Sequence, residues 1–182
     1  MIEHVVLVDE NDKELGVMPK LEAHIYGMLH RAFSVFIFDD KGRMLLQRRN
    51  LDKYHSGGLW TNSCCSHPRP SEDIKDAALR RLQEEMGMAC EIEEVFSFVY
   101  KAKFDNGLTE YEFDHVFIGH SNALPHINKE EVEEFKYVTS EELLHDMLGH
   151  PKKYTEWFKL CIRDYQDKIF VKKTRNGHTS FK

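Results

Sequence analysis

Residues 61–87 constrain this chain more than any other stretch, because they place thiols, an imidazole and paired carboxylates around one loop-to-helix turn. The run opens with Thr61, Asn62, Ser63, Cys64, Cys65, Ser66, His67 and Pro68 and closes with Arg80, Arg81, Leu82, Gln83, Glu84, Glu85, Met86 and Gly87. Ser71 and Glu72 stand where a helix N-cap and first turn belong, and the strong helix formers that follow stop at Gly87, a natural residue for a C-terminal cap. At about 100° per residue, Ile74, Ala78, Leu82 and Met86 form one apolar stripe, and Arg81 and Glu85 fall on the same side. Charges on a core-facing stripe need a cause. One is an i,i+4 ion pair that only supports the helix; the other is a site beneath it.

The rest of the chain reads as scaffold. Residues 5–8 and 15–18 form two short strands around a polar turn, beside the main sheet. Residues 24–30 are too irregular to assign, and they deliver His30 to a strand over 32–38. The Asp39 to Gly42 turn joins that strand to another over 44–49, so 32–49 reads as a hairpin with Arg48 and Arg49 on opposite faces. Gly57 and Gly58 free the backbone to turn Trp60 and Cys65 toward one cavity. Residues 95–103 and 110–118 are strands around Asp105, Asn106 and Gly107, with Glu110, Glu112 and Asp114 on one face. A two-residue turn there sets Lys101 opposite Glu112, whereas a three-residue loop with Gly107 left-handed sets Tyr100 opposite it. The acidic run 130–134 reads as a solvated segment before a strand over 135–138. Ser140 caps a helix through Leu148, Gly149 and Pro151 break it, and a second helix over 154–169 carries Trp157, Phe158, Cys161, Ile162, Tyr165 and Ile169 on one side. The polar tail 172–182 is expected to fray.

Ser66, Glu72, Arg80, Arg81, Leu82, Glu84, Glu85, Gly87 and Met88, at their spacings, resemble the Nudix signature, in which a Gly-started loop and a Glu-rich helix hold a divalent cation against a diphosphate. Two positions depart from it. Ser66 replaces the Gly, and Arg81 replaces the first Glu of the helix core, so a ligand normally used for pyrophosphate hydrolysis becomes a cation. With Thr61, Asn62, Ser63, Cys65, His67 and Pro68 upstream and Glu110, Tyr111 and Glu112 downstream, the pattern is similar to the type I isopentenyl-diphosphate delta-isomerase family over most of the chain.

That resemblance implies an α+β fold, a Nudix-like mixed β-sheet sandwiched between helices, in a single catalytic domain over 1–182. It favours the three-residue loop, since it asks for the Tyr100 hydroxyl beside Glu112. It puts Lys20, Arg49, Lys53 and Arg81 on the diphosphate, where a guanidinium fork matches phosphate oxygens. Trp157 becomes an aromatic wall, with Trp60 as a second candidate for stabilising positive charge. Singly, His24 and His30 read as surface imidazoles; with His67, Glu110 and Glu112 they offer three nitrogens and two carboxylates to a divalent ion, a set that does not choose among Zn²⁺, Mn²⁺ and Mg²⁺. A second ion, Mg²⁺, is expected on Glu85 and the substrate diphosphate. Cys65 and Glu112, with Tyr100 beside the latter, are the expected proton-transfer groups that shift a carbon–carbon double bond. Cys64 reads as a small buried hydrophobe.

Three functions compete. An isomerase uses Cys65, Glu112 and the histidines; a Nudix pyrophosphohydrolase is favoured by Glu72, Glu84 and Glu85 and opposed by Arg81; a noncatalytic binding module leaves Cys65 and Glu112 without a task. The net charge of −6 argues against nucleic acid as a partner and requires local cations for an anionic substrate. No apolar stretch approaches a membrane span, and four cysteines without CxxC spacing suit a reducing, cytoplasmic setting. At 182 residues and 41% hydrophobic content, without a linker, one core is expected. Oligomeric state is left open.

Overall fold

Ser63 sits at the point where two central strands part, and the architecture follows from that wedge. The computed structural model describes residues 2–170, so the tail at 172–182 lies outside them. In chain order the elements are β1 (His4–Val8), β2 (Glu14–Pro19), α1 (Lys20–Tyr26), β3 (His30–Phe38), β4 (Met44–Arg49), β5 (Trp60–Thr61), β6 (Cys64–Ser66), α2 (Ile74–Met86), β7 (Ile92–Lys103), β8 (Thr109–His120), β9 (Val132–Val138), α3 (Ser140–Gly149), a 3-10 turn (Pro151–Lys153) and α4 (Glu156–Ile169). The nine strands form one mixed sheet in which β3 runs parallel to β8 and the other pairings are antiparallel.

The hairpin expected over 32–49 is correct only at its tip. β3 and β4 pair at Ile37–Leu45 and Phe38–Met44 and then separate. The Ser63 hydroxyl bridges the split, accepting the Ile37 N–H at 2.8 Å and donating to the Leu45 carbonyl at 2.6 Å. Asn62 donates to the carbonyls of Val35 and Cys64 at 3.1 and 2.8 Å, and Gln47 donates to the Ser63 carbonyl at 2.8 Å. These bonds satisfy backbone groups that a continuous ladder would have paired. Beyond the wedge, β5 takes up pairing with β4 and β6 with β3.

Alternation along β3 feeds two cores. Phe33, Val35 and Ile37 pack with Cys64, Ala77, Ala78, Leu82 and Met86 beneath α2. Phe36 and Phe38 pack with Leu143, Trp157, Phe158, Cys161 and Ile162 beneath α3 and α4. The sheet is thus sandwiched between helices, and the apolar stripe of α2 is buried as its spacing requires.

Several boundaries are corrected. The N-cap of α2 is Asp73, whose carboxylate accepts the N–H groups of Lys75 and Asp76 at 2.9 and 3.2 Å; Ser71 occupies a left-handed turn instead, at φ 65°. Residues 20–26 form helix α1, closed by Gly27 at φ 60°. Its pattern was unreadable because Leu21, Ile25 and Tyr26 are exposed while Ala23 and His24 face inward. β1 and β2 belong to the main sheet, joined through Leu7 and His30. β9 starts at Val132, inside the acidic run. The β7–β8 connection is the three-residue loop: Phe104 N–H bonds to Leu108 O at 2.9 Å, Gly107 has φ 83°, and Tyr100 stands opposite Glu112. Among the described residues no helix is long and apolar enough to cross a membrane.

Candidate active site

The split between β3 and β4 opens into a cavity of about 240 Å³, walled by the loop after β4, β6, β8 and the start of α4. Cys65, Tyr100, Glu110, Glu112 and Trp157 line it, and Lys20, Arg49, Lys53, Arg81 and Glu85 border it. The expected site residues other than His24 and His30 therefore share one space.

At one wall, His24 from α1, His30 at the start of β3, His67 after β6 and Glu112 of β8 place their ligand atoms within 4.8 Å of one another. The His30 Nδ1 contacts the Met28 carbonyl at 2.8 Å, so this nitrogen donates and Nε2 keeps its lone pair. The His24 Nδ1 is fixed by the Tyr54 hydroxyl at 2.7 Å, and His67 Nε2 lies 2.9 Å from Glu112 Oε1. His24 Nε2, His30 Nε2 and His67 Nδ1 are buried without a hydrogen-bond partner. Burial, aided by the neighbouring His67 and His30, pushes the His24 imidazole down to about 3, and burial also lowers His67 against the pull of Glu112. Buried imidazoles with one nitrogen fixed and the other unpartnered fit a divalent ion.

The fifth expected ligand, Glu110, lies outside that group. Two residues along a strand are roughly 7 Å apart, so when Glu112 meets the histidines Glu110 meets different partners. Its Oε2 lies 3.1 Å from the Tyr100 hydroxyl and its Oε1 3.2 Å from His55 Nε2. Burial, reinforced by the charge of Glu112, raises Glu110 well above the carboxylate range. Burial alone would raise Glu112 too, but its contacts with the His30 and His67 imidazoles hold it well below. The two acids are thus pushed in opposite directions, Glu110 up and Glu112 down. Tyr100 donates to Glu112 Oε2 at 2.6 Å. The next acid on this face, Asp114, accepts from the Ser34 hydroxyl at 2.7 Å and is raised by burial and then by Glu112.

Alternation along β6 separates the two cysteines. Cys64 is fully buried in the core beneath α2, whereas Cys65 opens onto the cavity. Burial pushes the Cys65 thiol up to about 12 despite Arg49, so it carries its proton at neutral pH.

The opposite rim is cationic. Arg81 binds Glu85 Oε1 at 2.6 Å and Glu84 Oε2 at 2.8 Å, so the i,i+4 pair and the site coexist. Gln47 fixes the other oxygen of Glu85 at 2.9 Å. The Nε atoms of Arg49 and Arg81 are buried without a partner. Arg49 lies over the Trp157 ring at 5.2 Å, and Lys20 pairs with Glu3 at 3.1 Å. Arg48 points the other way, to Glu134, as strand alternation required. Trp60 does not reach the cavity; its ring is covered by Lys136 at 4.3 Å. The acidic run is not merely solvated, since Glu131 contacts Lys53 and Arg81. Sequence reasoning also missed Gln47, Tyr54 and His55. A tyrosine and a histidine just before Gly57 and Gly58 were the only hint of the last two.

Residues 28–158 match the NUDIX domain family. The chain is 49% identical over 177 residues to "Isopentenyl-diphosphate Delta-isomerase 2" of Aromatoleum aromaticum, covering 97% of this chain and 92% of that protein. It is 52% identical over 169 residues to the protein of the same name from Photorhabdus laumondii, covering 92% and 96%. Among solved structures, DR0079 of Deinococcus radiodurans superposes with a TM-score of 0.71 at 19% identity, over 90% of this chain and 99% of that one, a likeness of fold alone.

Proposed function

The chain belongs to the isopentenyl-diphosphate Delta-isomerase family of NUDIX-domain proteins, and from its cavity we propose how it moves the double bond. It is an isomerase of isoprenoid precursor synthesis that interconverts isopentenyl and dimethylallyl diphosphate. The diphosphate meets Lys20, Arg49, Lys53 and Arg81, whose unpartnered Nε–H groups at Arg49 and Arg81 are donors with no acceptor in the protein. The hydrocarbon end extends inward between Cys65 and Glu112.

In the forward direction the Cys65 thiol gives its proton to the terminal methylene carbon, and the double-bond electrons form the new C–H bond. The positive charge develops on the tertiary carbon. Glu112, ionised and oriented by Tyr100, then takes a proton from C2, and that C–H electron pair becomes the new double bond. The reverse direction exchanges the roles. Trp157 offers a π-surface to the developing cation, a contact worth about 2 kcal/mol when desolvated. Substrate filling the cavity against Phe33, Tyr100 and Trp157 would displace water that could trap the cation.

A divalent ion on His24, His30, His67 and Glu112, whether Zn²⁺, Mn²⁺ or Mg²⁺, would supply positive charge that keeps Glu112 ionised and fixed, while Glu110 lies against His55. Mg²⁺ suits Glu85 together with the diphosphate. The four free cysteines fit a reducing, cytoplasmic compartment.

The observation that carries this reading is that Cys65 and Glu112 share one cavity with a cationic rim. The hydrolase alternative lacks support from α2, because Glu72 and Glu84 are engaged by Arg80 and a cation, Arg81, stands where the hydrolase motif has a carboxylate. Replacing Cys65 by Ser and Glu112 by Gln tests it: each variant should bind inorganic pyrophosphate like the parent yet lose isomerisation. Activity retained in either variant would remove that residue from the proton path.

A further inference from the structure

Lys53 and Arg81 reach the rim from different elements, the loop after β4 and helix α2, and a single acid joins them. Glu131 lies just before β9, and its backbone is pinned on both sides. Its N–H donates to the Asn128 carbonyl at 2.9 Å, and its own carbonyl accepts the Asn50 N–H at 3.0 Å. The Asn50 side chain also donates to the Lys129 carbonyl at 2.7 Å. The first residue of the Lys53 loop is therefore tied to the segment that carries Glu131. From that anchorage Glu131 Oε2 bonds to the Lys53 ammonium and stands 3.4 Å from Arg81 Nη2. The other acids on Arg81, Glu84 and Glu85, come from its own helix and fix only its position along α2.

An ammonium has three N–H groups and a guanidinium five, so one shared carboxylate leaves donors on both cations. The unpartnered Nε of Arg81 is one of them. A lysine on a flexible stem loses rotational freedom when it closes on a phosphate, and a contact made beforehand removes part of that cost from binding. We propose that Glu131 is a positioning residue for diphosphate capture, holding Lys53 and Arg81 at the cavity mouth with donors left for the phosphate oxygens. This rests on the assignment of Lys53 and Arg81 to the diphosphate.

The test is a double-mutant cycle on the full chain with Glu131→Gln, Lys53→Met and both together. Inorganic pyrophosphate binding with Mg²⁺ is measured by calorimetry, and KM and kcat are measured with isopentenyl diphosphate. Glu131→Gln is isosteric at a half-buried position and should leave the thermal midpoint and the metal content of the histidine group unchanged. It should weaken pyrophosphate binding and raise KM by about tenfold, with kcat within about threefold. In the Lys53→Met background most of that effect should disappear, because the contact it removes is already gone. A KM at or below the parent value would overturn the inference, since Glu131 would then be a bystander or a competitor of the phosphate. So would effects of the two substitutions that add in full. Parent-like pyrophosphate binding by Lys53→Met would instead overturn the assignment of that cation, and the inference with it.

Discussion

Replacing Tyr100 by Phe removes one oxygen from the centre of the acid pair and keeps everything else in place. The hydroxyl donates to Glu112 Oε2 at 2.6 Å and lies 3.1 Å from Glu110 Oε2. Glu112 Oε1 keeps its contacts with His67 and His30 at 2.9 and 3.5 Å, so the histidine group survives. The ring also survives, and with it the stacking on Phe98 at 5.7 Å between centroids. A hydrogen bond to a buried charged group contributes about 1.5–3 kcal/mol, which corresponds to a factor of roughly 10 to 150. On the proposed proton path Tyr100 orients the accepting oxygen of Glu112, so the loss should fall on kcat. Steady-state kinetics followed by NMR should show that fall, with KM within about threefold and metal stoichiometry unchanged by elemental analysis. A parent-like kcat would refute the role of Tyr100. Loss of metal together with activity would mean that the hydroxyl acts by assembling the ligand group rather than by aiming the carboxylate.

Other expectations follow from the same geometry. An epoxide analogue of the substrate should alkylate Cys65 and spare Cys64, as peptide mass spectrometry would reveal, because β6 turns only Cys65 toward the cavity; an adduct on Cys64 would reverse the assignment. His67→Ala should lose most bound metal and nearly all turnover while still binding pyrophosphate, and full metal content would make the cluster a purely protein-held network. Asp146→Asn tests a distant anchor, where the carboxylate accepts the Tyr154 hydroxyl at 2.6 Å and the Lys153 ammonium at 3.1 Å. Losing that charge should cost about 1–2 kcal/mol and lower Tm by roughly 2–8 °C. Tyr154 first, then Lys153 and His150, hold the Asp146 carboxyl down to about 2 from an ordinary 3.8, so the stabilisation is full above pH 3.8 and vanishes as pH falls through about 2. A difference between parent and variant that persists at pH 2 would contradict this.

Much of the site was legible in the sequence because its parts lie at element ends or on strands. Period-two alternation alone put Glu110 and Glu112 on one face, whereas the turn sequence left two registers open; the family resemblance chose the one that brings Tyr100 opposite Glu112, and Gly107 adopts the left-handed position it needs. The sandwich of helices around a sheet was implied by the family resemblance, and the apolar stripes of α2 and α4 face its two cores. What stayed hidden depends on contacts that periodicity does not encode. Helix α1 exposes apolar residues and buries a histidine, so its pattern looked irregular. Ser63, Asn62 and Gln47 work through backbone carbonyls of distant strands, and no local spacing announces such a wedge. Glu131 was masked by its acidic neighbours, and only the fold selects it to meet Lys53. The separation of Glu110 from the histidine group required the position of His55, which belongs to a loop without a repeating pattern.

The central claim, that Cys65 and Glu112 move protons while the diphosphate stays intact, is tested most directly by incubating the protein with isopentenyl diphosphate and a divalent cation in D₂O. NMR should show interconversion with dimethylallyl diphosphate, deuterium entering a methyl group of the latter, and no free phosphate, because the Cys65 thiol exchanges with solvent between turnovers. Release of phosphate or pyrophosphate without isomer, or isomer formed without solvent deuterium, would contradict the account.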